Sequence, residues 1–247
     1  MIHPSHAPIT HAPPTHAMAL AAGLGTRMRP LTLSVPKPMI KVAGKTMLDR
    51  ALDHLRYQGV DRIVVNTHWL PQVINGHLAD HPDIVLSPEP DVLETGGGVA
   101  NALPHLGTAP FFVVNCDIIW TDGPGKPALQ RLAETWDDTT MDALLLLHPV
   151  ATAIGYDGSG DFHAEPGHPL RRRDKARDES APYLFTGVQI LHPRLFERAP
   201  KGKFSLNLLY DQALDAGRLG WLIHDGAWYH VGTPEALPQV EALLCAR

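Results

Sequence analysis

Two glycines and two cations near the N-terminus are the first residues whose types and spacing could do chemistry. Gly23 and Gly25 stand in Ala22-Gly23-Leu24-Gly25-Thr26-Arg27, directly after the apolar run Ala17 to Ala21. Glycines here let the backbone turn tightly and leave its N–H groups uncovered, which is what a phosphate needs. Arg27 adds a forked donor, and Lys37, held between Pro36 and Pro38, adds a point charge on a stiff segment. Together they read as a nucleoside triphosphate site. The pattern is neither a P-loop nor the three-glycine dinucleotide fingerprint.

Two further stretches fit that reading. Leu93-Glu94-Thr95-Gly96-Gly97-Gly98 puts three glycines at a helix start, where a flat base or a sugar could approach the backbone, with Glu94 and Thr95 to read polar edges. Val113-Val114-Asn115-Cys116-Asp117 ends a buried strand on a carboxylate, a natural Mg²⁺ ligand beside a triphosphate. Cys116 has no base adjacent in sequence and reads as a small space-filler. Gly160-Asp161-Phe162 and Phe185-Thr186-Gly187 are expected to face the sugar.

Positioning these residues requires strands that alternate with helices. Apolar runs predict strands at Ala17–Ala21, Arg62–Asn66, Ile84–Ser87, Phe111–Asn115, Ala143–Leu147, Tyr183–Leu191 and Leu219–His224. Helical spacing predicts helices over 46–58, from Pro71, over 96–106, 127–136, 206–216 and 234–244. Continuous apolar strands between helices imply an α/β fold, doubly wound around a mostly parallel sheet covered on both faces. Ligands in such sheets bind at the carboxyl ends of the strands, where the phosphate loop and Asp117 fall. The segment 155–182 is rich in Gly, Asp, His and Arg and is expected to hold short antiparallel strands or a substrate loop.

Residues 1–16, rich in Pro and His, read as a flexible tail, and 17–247 as one catalytic domain. The chain has 247 residues and a net charge of −5, with no basic footprint for nucleic acid. No apolar run approaches the ~20 residues of a membrane span, and no signal peptide is visible. Two cysteines, Cys116 and Cys245, suit a reducing cytoplasm rather than a disulfide framework. The clusters Arg171–Arg173 and Lys175–Arg177 are broken by acids and lack aromatic interleaving, so they read as a solvated loop, or one greeting an anionic substrate. Nothing in the sequence points to a protein partner.

The runs L-A-A-G-L-G-T-R-M-R-P-L-T, V-P-K-P-M, L-E-T-G-G-G, V-N-C-D, F-T-G-V-Q-I-L-H-P and V-G-T-P-E together resemble the signature of sugar-1-phosphate nucleotidyltransferases. The likeness is to enzymes that uridylylate N-acetylmuramic acid 1-phosphate in cell-wall sugar recycling, and also to short mannose-1-phosphate guanylyltransferases. It implies a nucleoside triphosphate and a sugar 1-phosphate as substrates and Mg²⁺ as cofactor. By that resemblance Ala22, Gly23, Gly25 and Thr26 hold the triphosphate, Arg27 the leaving pyrophosphate, and Lys37 the α-phosphate and the incoming phosphate. Glu94, Thr95 and Gly96 meet the base, Asn115 and Asp117 the sugar and the metal, and Asp161, Thr186 and Gly187 the acceptor sugar. The family usually carries an aspartate in W-x-D-V-G-T as second metal ligand; this chain reads Trp228-Tyr229-His230-Val231-Gly232-Thr233. A histidine there shifts the preference toward Mn²⁺ or Co²⁺, or leaves Asp117 and phosphate oxygens to hold Mg²⁺. The resemblance also allows a nucleotide-sugar binding protein with impaired catalysis.

Overall fold

A computed structural model describes residues 12–165 and 168–246. Most of the Pro- and His-rich leader lies outside them. Just before the first strand, the Thr15 carbonyl accepts the backbone N–H groups of Asp61 and Arg62.

The strands in chain order are β1 (His16–Leu20), β2 (Lys41–Val42), β3 (Lys45–Thr46), β4 (Arg62–Thr67), β5 (Ile84–Pro88), β6 (Phe111–Asn115) and β7 (Ile118–Thr121). They continue with β8 (Ala143–Pro149), β9 (Phe162–His163), β10 (Arg171–Arg172), β11 (Tyr183–Leu191), β12 (Leu219–Ile223) and β13 (Ala227–His230). The helices are α1 (Met47–Tyr57), α2 (Pro71–His77), α3 (Glu94–Leu106), α4 (Ala128–Thr135), α5 (Asn207–Asp215) and α6 (Ala236–Cys245).

Nine strands form the main sheet. β1 lies at its centre, parallel to β4 on one side and β6 on the other, and β5 continues parallel beyond β4. The strand order reverses at β1, so a crevice opens above the carboxyl ends of β1, β4 and β6. The parallel reading holds for these strands and for β8 with β12. β11 departs from it, running antiparallel to both β6 and β8. In the 155–182 segment, β9 and β10 make a short antiparallel pair against the start of β11.

Alternation along the strands feeds two cores. Ala17, Ala19, Ile63, Val65, Phe112 and Val114 face α1, α2 and α4, while Met18, Val64, Phe111 and Val113 face α3 and α5. Helix α1 starts cleanly because Thr46 caps it, its hydroxyl accepting from the Asp49 N–H at 2.9 Å. A third cluster, with Met28, Ile40, Met47, Ile119, Tyr229 and Val240, packs α6 against the 28–47 segment and a small sheet of β7 and β13. Pairing of Trp228 with Trp120 and of His230 with Ile118 in that sheet brings the end of the chain to the site.

The sheet is also bent. Between Phe185 and Gln189, β11 carries more residues than the facing stretch of β8, a bulge containing Thr186 and Gly187. Gly187 sits at φ +86, and a Cβ there would lie 2.9 Å from the Asn115 Cβ. A bare backbone is required at this contact.

Candidate active site

The cleft above β1, β4 and β6 has a volume of about 280 Å³. The loop Ala22–Arg27 lines one side of it. After β1 the chain passes through Ala22 and Gly23 to Gly25, at φ +60, then enters a single 3-10 turn, Thr26–Met28. Gly25 packs so tightly that a Cβ would stand 2.9 Å from Thr32 Cγ2 and 3.0 Å from Lys37 Cβ. The Thr32 hydroxyl donates to the Gly25 carbonyl at 2.8 Å. The glycine therefore seats the loop directly on the segment that delivers Lys37.

Lys37 opens a third 3-10 turn, Lys37–Met39, after one at Leu31–Leu33. Its side chain is 9 % exposed and its ammonium donates to Asp117 Oδ2 at 3.0 Å; Asp117, at 38 %, opens into the cleft. Burial works against ionisation of Asp117. The Lys37 ammonium and its hydrogen bond, followed by His230 and Arg27, outweigh that and hold the carboxyl below its ordinary range. His230 shows the opposite balance. Burial pushes its imidazole below the ordinary value, Lys37 and Arg27 reinforce this, and Asp117 opposes it. At neutral pH the ring is an uncharged nitrogen donor.

Of the residues singled out from the sequence, Ala22, Gly23, Gly25, Thr26, Arg27, Lys37, Glu94, Thr95, Asn115 and Asp117 line this one cleft. Cys116 lies between the last two, fully buried, with its thiol pushed up by that burial. It fills space.

Several residues stand elsewhere. Helix α3 begins at Glu94, so the three glycines lie inside its first turn rather than in a preceding loop. The 202–206 segment packs on them. A Cβ on Gly96 would meet the Phe204 ring at 2.3 Å, and one on Gly97 the Gly202 carbonyl at 2.3 Å. The N–H groups of Gly96 and Gly97 donate to the Phe204 carbonyl, and the Leu206 N–H donates to Thr95 Oγ1. What approaches the bare backbone is this chain's own segment, and Gly96 does not line the cleft. Thr186 is 1 % exposed, its hydroxyl donating to the Leu146 carbonyl and accepting from the Val188 N–H. Asp161 Oδ2 accepts from the Phe185 N–H at 2.9 Å. Thr186, Gly187 and Asp161 thus build the bulge beside Asn115 rather than the cleft wall. His230 stacks on Trp228 at 6.0 Å and lies close to Gly232, which lines the cleft.

Sequence reasoning missed Asn66 and Glu89. Asn66, at the end of β4, accepts the Ala21 N–H at 2.7 Å and donates to Glu89 Oε1 at 2.7 Å; Glu89 Oε2 accepts the Leu93 N–H. Both are buried and both line the cleft. They tie the phosphate loop to the start of α3. Their only signal was position, at or just after the ends of two predicted strands.

Among the described residues no group of three or more His, Cys, Asp or Glu gathers to hold a metal. A site with one carboxylate lining the cleft still fits Mg²⁺, which keeps waters and takes its other ligands from substrate phosphates. Asp117 meets that description, and the neutral His230 adds a softer donor at its side.

A family profile described as "MobA-like NTP transferase domain" matches residues 17–196. The chain is 40 % identical over 238 residues to a protein of Caulobacter vibrioides named N-acetylmuramate alpha-1-phosphate uridylyltransferase, covering 94 % of this chain and 97 % of that one. The protein of that name from Neisseria meningitidis serogroup B is 35 % identical over 233 residues, covering 92 % and 97 %. Among solved structures, a putative glucose-1-phosphate thymidylyltransferase from Bacillus anthracis superposes with a TM-score of 0.78 at 18 % identity, over 92 % of this chain and 94 % of that one. At that identity the superposition establishes the fold.

Proposed function

Given that this chain belongs to the MobA-like NTP transferase family and is a nucleotidyltransferase, we propose that it couples UTP to N-acetylmuramic acid 1-phosphate. The products would be the UDP-sugar and pyrophosphate. The observation that carries the reaction is the Lys37–Asp117 pair, 3.0 Å apart, on the rim of the Gly23–Arg27 loop. The substrate pair rests on the two uridylyltransferases that match nearly end to end.

An oxygen of the sugar phosphate attacks the α-phosphorus as the bond to the β-phosphate oxygen breaks. The main obstacle is repulsion between two anions, so catalysis is positioning and charge compensation. Backbone N–H groups of the glycine loop and the exposed Arg27 receive the β- and γ-phosphates. Lys37 sits where the α-phosphate and the incoming phosphate converge. A phosphate oxygen is already ionised near neutrality, so no general base is needed. Asp117 would hold a divalent cation, Mg²⁺ in this reading, with His230 beside it; when bound, the ion neutralises charge on the phosphates. Glu94 and Thr95 border the end of the cleft assigned to the base, and Asn115 the end assigned to the sugar. Among the described residues no helix is long and apolar enough to cross a membrane. Both cysteines are free, and we place the enzyme in the cytoplasm.

Pyrophosphate release across a panel of nucleoside triphosphates, sugar 1-phosphates and divalent ions tests this. UTP with N-acetylmuramic acid 1-phosphate should give the highest kcat/KM. A higher value with GTP and mannose 1-phosphate, or another pair, replaces the substrate assignment.

A further inference from the structure

The run Arg171–Arg173 is not uniformly solvated. Arg171 is paired with Asp178 at 2.5 Å. Arg172 is paired with Asp211 at 3.1 Å and lies over the Phe162 ring. Arg173 is held differently. Its Nε–H donates to the Gly160 carbonyl at 2.9 Å, and its backbone N–H to the Asp161 carbonyl at 2.8 Å. Among the described residues no carboxylate lies within ion-pair distance of it. The guanidinium is thus anchored by one edge, half-buried, with both terminal amino groups uncommitted.

Two chains of contact place this corner beside the acceptor end of the cleft. Asp161 Oδ2 accepts the Phe185 N–H, and two residues further along the same strand Gly187 lies bare against Asn115. In the other direction, the Gly160 N–H donates to the Tyr156 hydroxyl. Tyr156 packs edge-on against Trp228 at 6.1 Å, and Trp228 stacks on His230 beside Asp117. The Glu89–Thr95 end of the cleft lies on the opposite side of the phosphate loop.

We infer that Arg173 binds the carboxylate that a muramic-type acceptor carries on its sugar ring, and so selects acidic over neutral sugar 1-phosphates. This rests on the proposed function. A sugar phosphate held at Asn115 and Asp117 extends away from the α-phosphorus toward the Asp161–Arg173 corner. The lactyl ether carboxylate of N-acetylmuramic acid is a planar two-oxygen group, which a guanidinium with two free amino groups matches in bidentate fashion. Leaving one guanidinium without a carboxylate partner, in a loop whose other arginines are neutralised, is what such a role requires.

The test compares wild type with Arg173→Ala, UTP being constant, on N-acetylmuramic acid 1-phosphate and on its lactyl methyl ester. Loss of a charge-assisted bond should lower kcat/KM for the free acid ~10- to 100-fold, while the ester changes less than about twofold and KM for UTP holds. Equal losses on acid and ester would show that Arg173 only braces the loop, overturning the inference; so would an unchanged preference. A wild type inactive on N-acetylmuramic acid 1-phosphate would overturn the proposed function and this inference with it, an outcome visible before any variant is assayed.

Discussion

In the proposed reading, Lys37 and a divalent cation compete for the Asp117 carboxylate. Asp117 Oδ2 is held by the ammonium at 3.0 Å, so a metal arriving alone must share the carboxylate with a buried positive charge. A nucleotide bringing its own phosphates gives Lys37 a new anion and frees the carboxylate. On that reading the site accepts metal with nucleotide rather than before it. Lys37→Met should raise Mn²⁺ affinity of the nucleotide-free protein by about tenfold or more, read by calorimetry, while cutting turnover by ~10²-fold or more through loss of electrostatic stabilisation. Unchanged Mn²⁺ affinity would show that the two do not compete. These residues were legible in the sequence because their motifs are contiguous: a strand, two glycines and a cation, or a strand ending on Asn115-Cys116-Asp117. Asn66 and Glu89 were not, since a lone polar residue at a strand end looks the same whether it braces a loop or caps a turn.

Among the elements, α3 shows how a correct motif can carry a different physical meaning. The three glycines were read as room for a ligand. They are room for Phe204, Gly202 and Glu89, which would meet Cβ atoms at 2.3, 2.3 and 2.7 Å. No local pattern reveals that, because the partner segment is distant in sequence. Gly96→Ala must shift an aromatic ring and a backbone carbonyl, so it should cost roughly 1–3 kcal/mol, several degrees in Tm for a chain of this size. It should also raise KM for the nucleotide, because Glu94 and Thr95 move with the helix start. Gly76 on α2 meets nothing within 4 Å. Gly76→Ala should leave the protein as stable, or more so by about 0.5–1 kcal/mol. Thermal melts of the two variants check both directions. The same blindness to distant partners hid the β11 bulge around Thr186 and Gly187.

At the scale of the whole molecule, acid sensitivity should come from two buried histidines that do not line the cleft. His148 and His224 are each 2 % exposed, with ring centroids 5.6 Å apart. Burial, and then the neighbouring His224, depress His148 to about 4. Burial likewise depresses His224, against the opposing pull of the Ala227 carbonyl, Asp225 and Asp122. A folded pKa below the ordinary ~6.5 means that the unfolded chain takes up the proton first. Their contribution to stability is thus whole above pH ~6.5 and lost as pH falls toward 4. Tm measured against pH should drop through that window in wild type, and less steeply in His148→Leu. The alternation of strands and helices made the doubly wound sheet legible from apolar periodicity alone. The antiparallel turn of β11 and the pairing of β13 with β7 were not, because strand partners far apart in the chain leave no mark on either segment.

That last pairing has a consequence for how the enzyme comes into being. Gly23 to Lys37 precede β4 and β6 in the chain, whereas Gly232, which walls the same cleft, follows β13. During synthesis on the ribosome the Gly23–Lys37 side of the cleft emerges first and waits. Long-range closure is the slow, entropically costly part of assembling such a sheet. A nascent chain, or one released prematurely, therefore presents a phosphate loop without its far wall, and the complete cleft exists only once the final strand has docked.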